Sequence, residues 1–394
     1  GYGVLGDYKS FTVYRPSGET KEQLRDLDRH IEVSDLENSY DDTKRGITSK
    51  DSDNHWYDPR QGAEVDAYVY LRDTYDYFYN TLGWQSFDND RAYIYGCTHY
   101  GANVCNAFWN GLGFYFGDGD ARGRVCLPLS GAPDIVAHEF THAVTDYTAE
   151  LRYYSISGAL NEAFSDIFGA LAENAPDTAS FYRIAERIWR SGPALRDMAH
   201  PSQYGMPEKM SQYKHIGEDD QGGVHVNCSI PCKAFYIMGQ SLGRDQLANI
   251  WFSALRDYLT TYSDFWDARE ATIQAATVMY GDSAASVVAS AWNSVGVTAV
   301  NPDTHGDILG QSTRYNYGDI VSGSIEWAGD FDCFIFTPAA GGTYDFYTTG
   351  STDTFGAIMD VSGEILAADD DSGDRYNFKV SHSLLRGNTY YLVV

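Results

Sequence analysis

His138-Glu139-Phe140-Thr141-His142 is the sharpest chemical signal in the chain. Imidazoles at i and i+4 project from one face of a helix and can share a zinc ion, while the Glu beside the first His points to the open side of the metal. A catalytic zinc keeps three protein ligands and leaves a position for water. The third is expected on a second helix, and Glu162 stands twenty residues beyond His142 in the run Asn161-Glu162-Ala163-Phe164-Ser165-Asp166. Glu162 and Asp166, again i and i+4, sit among Leu160, Ala163, Phe164 and Ile167, and carboxylates facing inward among apolar side chains need a reason. Glu162 as ligand and Asp166 as the acceptor that orients a ligand His supply one. Attack of a zinc-activated water on a carbonyl also needs an oxyanion stabiliser. Asp220-Gln221-Gly222-Gly223-Val224-His225 offers His225 on a flexible Gly-Gly turn, with Asp220 near enough to hold the ring and keep it protonated.

These side chains need helices to carry them. Helical spacing is expected over 134–148 and 158–173, then over 229–242, 245–258, 263–279 and 283–293. Residues 1 to about 130 alternate instead in short runs such as Phe11-Thr12-Val13-Tyr14 and Ala92-Tyr93-Ile94-Tyr95, which read as strands, interrupted by one helix over 63–79. Past the polar stretch Val300-Asn301-Pro302-Asp303-Thr304 the pattern turns to β again, over 333–337, 343–348 and 389–394. The fold expected is α+β: a β-rich lobe over 1–132, a helical zinc-binding lobe over 133–299, a linker over 300–305 and a small β-sandwich over 306–394.

Composition narrows the function classes. The 394 residues hold 28 Lys+Arg against 55 Asp+Glu, a net charge of −27, with 43% hydrophobic residues. Such an apolar fraction excludes global disorder, and an acidic balance without a basic stripe disfavours nucleic acid and anionic lipid while favouring cations such as calcium. No run approaches the roughly 18 apolar residues of a membrane span. The chain starts at Gly1 without an initiator Met, as expected of a mature secreted product whose targeting and pro-segments are gone. Six cysteines are too few to be the main staple. Cys97 and Cys105 flank a turn-rich stretch that would allow a hairpin bridge or leave both free, and Cys228 and Cys232 suit either a short bridge or two thiols on one helical face.

The three motifs above, joined by Asn106-Ala107-Phe108-Trp109-Asn110-Gly111 and Gly117-Asp118-Gly119-Asp120, closely resemble the thermolysin family of secreted zinc endopeptidases. The match runs in order from Gly3-Val4-Leu5-Gly6-Asp7 to about Val297. It implies that His138, His142 and Glu162 hold zinc, that Glu139 is the general base, and that His225, oriented by Asp220, and Tyr153 stabilise the tetrahedral intermediate. Asn161 and Asp166 match the positions that orient the ligands. Asn106, Ala107 and Arg196 match groups that bind substrate main chain, and Cys126, Leu129, Ile135 and Leu195 match the lining of a pocket for a bulky apolar residue just after the scissile bond. Cys126 stands where a larger side chain is common, which would widen that pocket.

Structural calcium is the second implied cofactor, with Asp134, Glu173 and Glu186 resembling the family's main site, Asp177 an added candidate, and Asp51 and Asp53 a further loop. A short segment over 174–195 implies one main ion rather than a pair. The expected partners are protein and peptide substrates and the chain's own pro-segment, with the enzyme a monomer. Residues 306–394 resemble a pre-peptidase C-terminal module through Gly329-Asp330-Phe331-Asp332, Ala368-Asp369-Asp370-Asp371 and Gly387-Asn388-Thr389-Tyr390-Tyr391. The competing reading is an inactive peptidase scaffold serving as an extracellular binding or adhesive protein, disfavoured because Glu139, His225 and Tyr153 are all present.

Overall fold

The computed structural model describes residues 1–120, 122–176, 178–216, 219–301, 305–306, 312–325 and 330–394. They form two compact units, residues 1–214 with 223–298, and residues 215–222 with 299–394. In the first, strands β1 (Glu22–Gln23), β2 (Arg25–Asp26), β3 (Ile31–Asp35), β4 (Ile47–Thr48) and β5 (Lys50–Asp51) precede helix α1 (Gln61–Leu82), and β6 (Ile94–Thr98), β7 (Ala107–Trp109) and β8 (Phe114–Phe116) follow it. The main sheet runs in the order β2-β3-β6-β8-β7, with β4 also on β3. Neighbours β3, β6 and β8 are parallel, while β7 lies antiparallel on β8 at the edge. The expected strand over 11–14 is not formed. Tyr14 makes one isolated bridge to Gln23, Pro16 can donate nothing to a ladder, and Phe11 is turned onto Trp56 and Tyr68 instead.

Helix α2 (Pro133–Asp146) starts with Pro133 and Asp134 in its first turn, where a missing N–H costs nothing and a carboxylate meets the positive end of the helix dipole. Helix α3 (Ser155–Glu173) ends on Asn174 in the left-handed conformation, at φ 52°. A single-turn helix α4 (Thr178–Phe181) and the ribbon of β9 (Arg183–Ile184) with β10 (Arg196–Asp197) lead to α5 (Asp220–Asn227), α6 (Ser229–Met238), α7 (Arg244–Ser253), α8 (Phe265–Tyr280) and α9 (Asp282–Ser294). A π-helical turn over Ala254–Tyr258 continues α7.

One aromatic cluster joins the lobes. Phe140, between the two histidines of α2 in sequence, is fully buried on the helix's opposite side, with ring centroids 5.3 Å from Phe78 of α1 and 5.7 Å from Phe114 of β8. Phe78 also meets Phe168 of α3 at 5.6 Å, so the helix bearing the histidines is pinned to sheet, α1 and α3 at once.

Cys105 is bridged to Cys126, which overturns the hairpin bridge between Cys97 and Cys105. Cys97 lies inside β6 in a buried cluster with Leu36 and Tyr115, and parallel pairing of β6 with β8 leaves no hairpin to bring Cys105 to it. Closing a 21-residue separation stabilises the fold by about 3 kcal/mol through the unfolded chain. Cys228 and Cys232 are both buried, and no disulfide joins them.

The second unit carries β11 (Thr313–Arg314), β12 (Cys333–Phe336), β13 (Gly342–Tyr347), β14 (Gly356–Met359), β15 (Ile365–Asp369), β16 (Lys379–Leu384) and β17 (Tyr390–Val393). A five-stranded sheet, β11-β12-β17-β14-β15, and the pair β13-β16 enclose Phe336, Phe346, Ile358, Phe378 and Leu392, an all-β sandwich. The expected linker residues 302–304 lie outside the described residues.

Helices α2 and α3 come close where Gly169 faces the start of α2, since a Cβ there would stand 2.7 Å from the Asp134 carbonyl oxygen. A side chain would push the backbones apart. Gly169→Val is therefore expected to cost about 1–3 kcal/mol in urea unfolding and to weaken metal retention, whereas a variant as stable as the parent would show that this approach is not needed.

Candidate active site

Helix α2 presents His138, Glu139 and His142 to α3, which presents Asn161, Glu162, Ser165 and Asp166. His138 Nδ1 lies 2.9 Å from Asp166 Oδ1, and His142 Nδ1 lies 2.8 Å from Asn161 Oδ1. Each acceptor fixes a proton on Nδ1 and turns Nε2 towards the shared point. Those two Nε2 atoms face each other at 3.0 Å. Glu162 closes the triangle, its Oε2 3.5 Å from His138 Nε2 and its Oε1 3.3 Å from His142 Nε2. Glu162 is 0% exposed, and its Oε2 has no hydrogen-bond partner among the described residues. Two converging imidazole nitrogens and an orphaned buried carboxylate oxygen fit a divalent cation, and the N,N,O donor set suits zinc.

The surroundings tune this cluster. Burial by itself would raise Glu162, yet the imidazoles of His138 and His142 hold it well below the usual carboxylate range. Burial likewise works against the imidazolium of His142, but Glu162 pushes it up to about 9. Glu139 is raised, mainly by burial and against the pull of His138 and His142. Its Oε2 accepts the backbone N–H of Trp109 at 3.1 Å, so the edge strand β7 fixes the carboxylate beside the ligands.

Tyr153 and His225 approach Glu162 from the exposed side. The Tyr153 hydroxyl donates to Glu162 Oε1 and lies 3.2 Å from His225 Nε2, itself 3.4 Å from Glu162 Oε1. The flexible Gly-Gly turn expected before His225 is corrected. Asp220, Gln221, Gly222 and Gly223 have φ of 54°, 46°, 82° and 85°, a left-handed turn that opens α5 and is eased by the two glycines. Asp220 heads that helix.

Arg196, expected to meet substrate, grips Asp166 with Nε at 2.7 Å and Nη2 at 2.6 Å, and is itself buried. Burial opposes its charge, but Asp166 outweighs this and holds Arg196 well above its ordinary value. Ala107 begins the edge strand β7, directly after Asn106. Leu129 and Ile135 are buried and Leu195 half-buried, while Cys126 is fully buried in its bridge to Cys105 rather than a free small side chain. Two contributors escaped the sequence reading. Ser165 Oγ lies 3.1 Å from His142 Nδ1, one turn beyond Glu162, and the Trp109 amide is a backbone group that no residue type announces.

Asp134, Glu173 and Glu186 bring carboxylate oxygens within 4.8 Å of one another. Glu186 Oε2 is buried without a hydrogen-bond partner among the described residues. Burial raises all three, Asp134 to about 6 against the backbone N–H groups of Ala185 and Ile135, Glu173 to about 9 with added repulsion from Asp134 and Glu186, and Glu186 to about 7 with added repulsion from Asp134. An all-oxygen group of this kind suits a hard cation. Asp177 lies outside the described residues. Asp51 accepts the N–H groups of Asp53 and His55, and Asp53 also accepts from His55.

Carboxyls raised in the folded state bind protons more readily there than in the unfolded chain, so their contribution to stability is present at low pH and lost as pH rises through their folded values. In chelator, the thermal midpoint is expected to fall between about pH 5 and pH 9, the window set by folded values of about 6, 7 and 9. Added calcium should restore most at the alkaline end. A profile flat in chelator, or a calcium effect greatest in acid, would contradict the cluster's role.

Residues 1–146 match the thermolysin metallopeptidase catalytic domain and residues 149–297 its alpha-helical domain. The chain is 41% identical over 312 residues to a bacillolysin of Brevibacillus brevis, covering 75% of this chain and 57% of that protein. It is 41% identical over 306 residues to an extracellular elastase of Staphylococcus epidermidis, covering 75% and 58%. Among solved structures it resembles the precursor of protealysin, a metalloproteinase from Serratia proteamaculans, with TM-score 0.62 and 31% identity over 75% of this chain and 92% of that one. The chain thus spans little more than half the length of these bacillolysin and elastase relatives. The family matches end at residue 297, and the resemblance of residues 306–394 to a pre-peptidase C-terminal module rests on sequence alone. With both domains matched in order and a relative 41% identical over three quarters of its length, the chain belongs to the thermolysin family of metallopeptidases.

Proposed function

We propose that the chain is a secreted zinc endopeptidase that hydrolyses internal peptide bonds before bulky apolar residues. The observation that carries this is the convergence of His138 Nε2, His142 Nε2 and the Glu162 carboxylate on one point, with Glu139 fixed beside them. Zinc held by these three groups would acidify a water and polarise the scissile carbonyl. Glu139, whose proton affinity burial raises, takes the proton from the attacking water and hands it to the departing amine. His225 and Tyr153, both exposed beside Glu162, donate hydrogen bonds to the developing oxyanion, and the family resemblance gives Asp220 the role of orienting His225.

Asp166 and Asn161 hold the ligand tautomers, and Arg196 anchors Asp166 while offering its remaining N–H groups towards substrate main chain. An extended peptide adds to the outer edge of β7, which pairs with no further strand among the described residues, beside Asn106 and Ala107, with Leu129, Ile135 and Leu195 lining the pocket for the residue after the scissile bond. Calcium sits among Asp134, Glu173 and Glu186, with Asp177 an added candidate, and a second acidic loop offers Asp51 and Asp53. Secretion is supported by the extracellular elastase relative and a pro-segment by the precursor form of the protealysin structure. No described helix is long and apolar enough to cross a membrane. We take the enzyme to be a monomer.

Glu139→Gln tests the assignment of the base. It is expected to keep about one zinc at this site and lose hydrolysis by roughly a hundredfold to ten-thousandfold, the usual scale of general-base catalysis. Retained turnover of a peptide substrate by the zinc-loaded variant would refute it.

A further inference from the structure

A second histidine repeats the arrangement of His138, away from the cluster already described. His99 Nδ1 lies 2.8 and 2.9 Å from the two oxygens of Asp118, as His138 Nδ1 lies 2.9 Å from Asp166. This leaves His99 Nε2 3.5 Å from Glu64 Oε1, the distance that separates His138 Nε2 from Glu162 Oε2. His99 is 3% exposed and Glu64 5%, and His99 Nε2 has no hydrogen-bond partner among the described residues. Asp35 completes the group, and one ligand atom from each of Asp35, Glu64 and His99 falls within 4.8 Å of the others. A span of 3.5 Å is long for a hydrogen bond, but it is close to the separation of two atoms bonded to one small cation at about 2 Å each.

The topology explains the meeting. Asp35 ends β3, His99 directly follows β6, and Asp118 stands two residues past β8, so three parallel neighbours deliver their carboxyl ends to one place. Glu64 arrives from the first turn of α1. The carboxyl ends of parallel strands are where open sheets of this kind place ligands. Arg60 forks onto Asp35, with Nη2 3.0 Å from Oδ1, which neutralises part of the charge while a carboxylate still has lone pairs to offer. The balance is three carboxylates against one guanidinium and one imidazole. Asp35 and Asp118 are partly exposed, which gives an ion a way in.

We infer that Asp35, Glu64 and His99 form a second divalent-metal site, with Asp118 orienting His99, that fastens the start of α1 to the carboxyl edge of the sheet. One imidazole with two carboxylates suits zinc or a similar transition ion and not calcium, which takes oxygen ligands.

The test is metal content of the whole chain after zinc loading and dialysis in excess calcium, which fills the acidic oxygen clusters. The unsubstituted protein is expected to hold two zinc per chain, His142→Ala one, and His142→Ala combined with Glu64→Gln none. One zinc in the unsubstituted protein and none in His142→Ala would overturn the inference, leaving His99 as a buried imidazolium between Asp118 and Glu64. Zinc retained unchanged after Glu64→Gln would overturn it too. Anomalous scattering at the zinc edge from crystals of the unsubstituted, zinc-loaded protein needs no variant to fold. A peak between His99 and Glu64 supports the site, and its absence there alongside a peak at His138 and His142 sinks it.

Discussion

The convergence of two imidazole Nε2 atoms 3.0 Å apart, with a buried carboxylate closing the triangle, is the constraint on which the rest of this molecule depends. A metal ion entering this cluster must displace the proton that Glu162 favours on His142, and the donors must be held in place for it. Asp166 and Asn161 hold the two rings by their far nitrogens, and Arg196 holds Asp166 in turn. Behind the rings, Phe140 locks α2 against α1 and α3 through Phe78 and against the sheet through Phe114. At the start of α2 the absence of a side chain at Gly169 sets how near α3 can come. Each layer is needed because shifting a ligand by a fraction of an ångström changes whether all three donors reach one ion.

The same logic runs through the acidic surplus of the chain. A net charge of −27 would weaken a compact state by self-repulsion, and part of that repulsion is concentrated in buried groups suited to a cation. Asp134, Glu173 and Glu186 gather oxygens only, whereas Glu162 and Glu64 each face an imidazole. Hard oxygen clusters and mixed nitrogen and oxygen sites thus divide the cations by chemistry.

Much of this was legible in sequence because its carriers are periodic. The helices over 133–146, 155–173 and 265–280 were read to within a few residues, since long amphipathic or buried runs repeat at a helical period. The shared face of His138 and His142 was legible because i and i+4 spacing states it, and Glu162 meets them from the next helix. Pairing was not. Nothing local in Ile94–Thr98 tells that it runs parallel between β3 and β8, and so nothing told that Cys97 is interior and Cys105 reaches Cys126. The left-handed turn at 220–223 was also hidden, for the glycines show freedom without showing which conformation uses it. Arg196 was placed near substrate by likeness, while its grip on Asp166 joins residues thirty apart in sequence and had to be seen. His99, Glu64 and Asp35 come from separate segments and carry no spacing that would have joined them.

The measurement that bears most directly on the account is cleavage of casein, or of a blocked dipeptide amide with a bulky apolar residue after the scissile bond, before and after 1,10-phenanthroline and again after zinc is returned. The account predicts cleavage that the chelator abolishes and zinc restores. Cleavage indifferent to the chelator, or a folded, zinc-loaded protein that cuts nothing, would contradict it and turn attention to a scaffold that binds without catalysing.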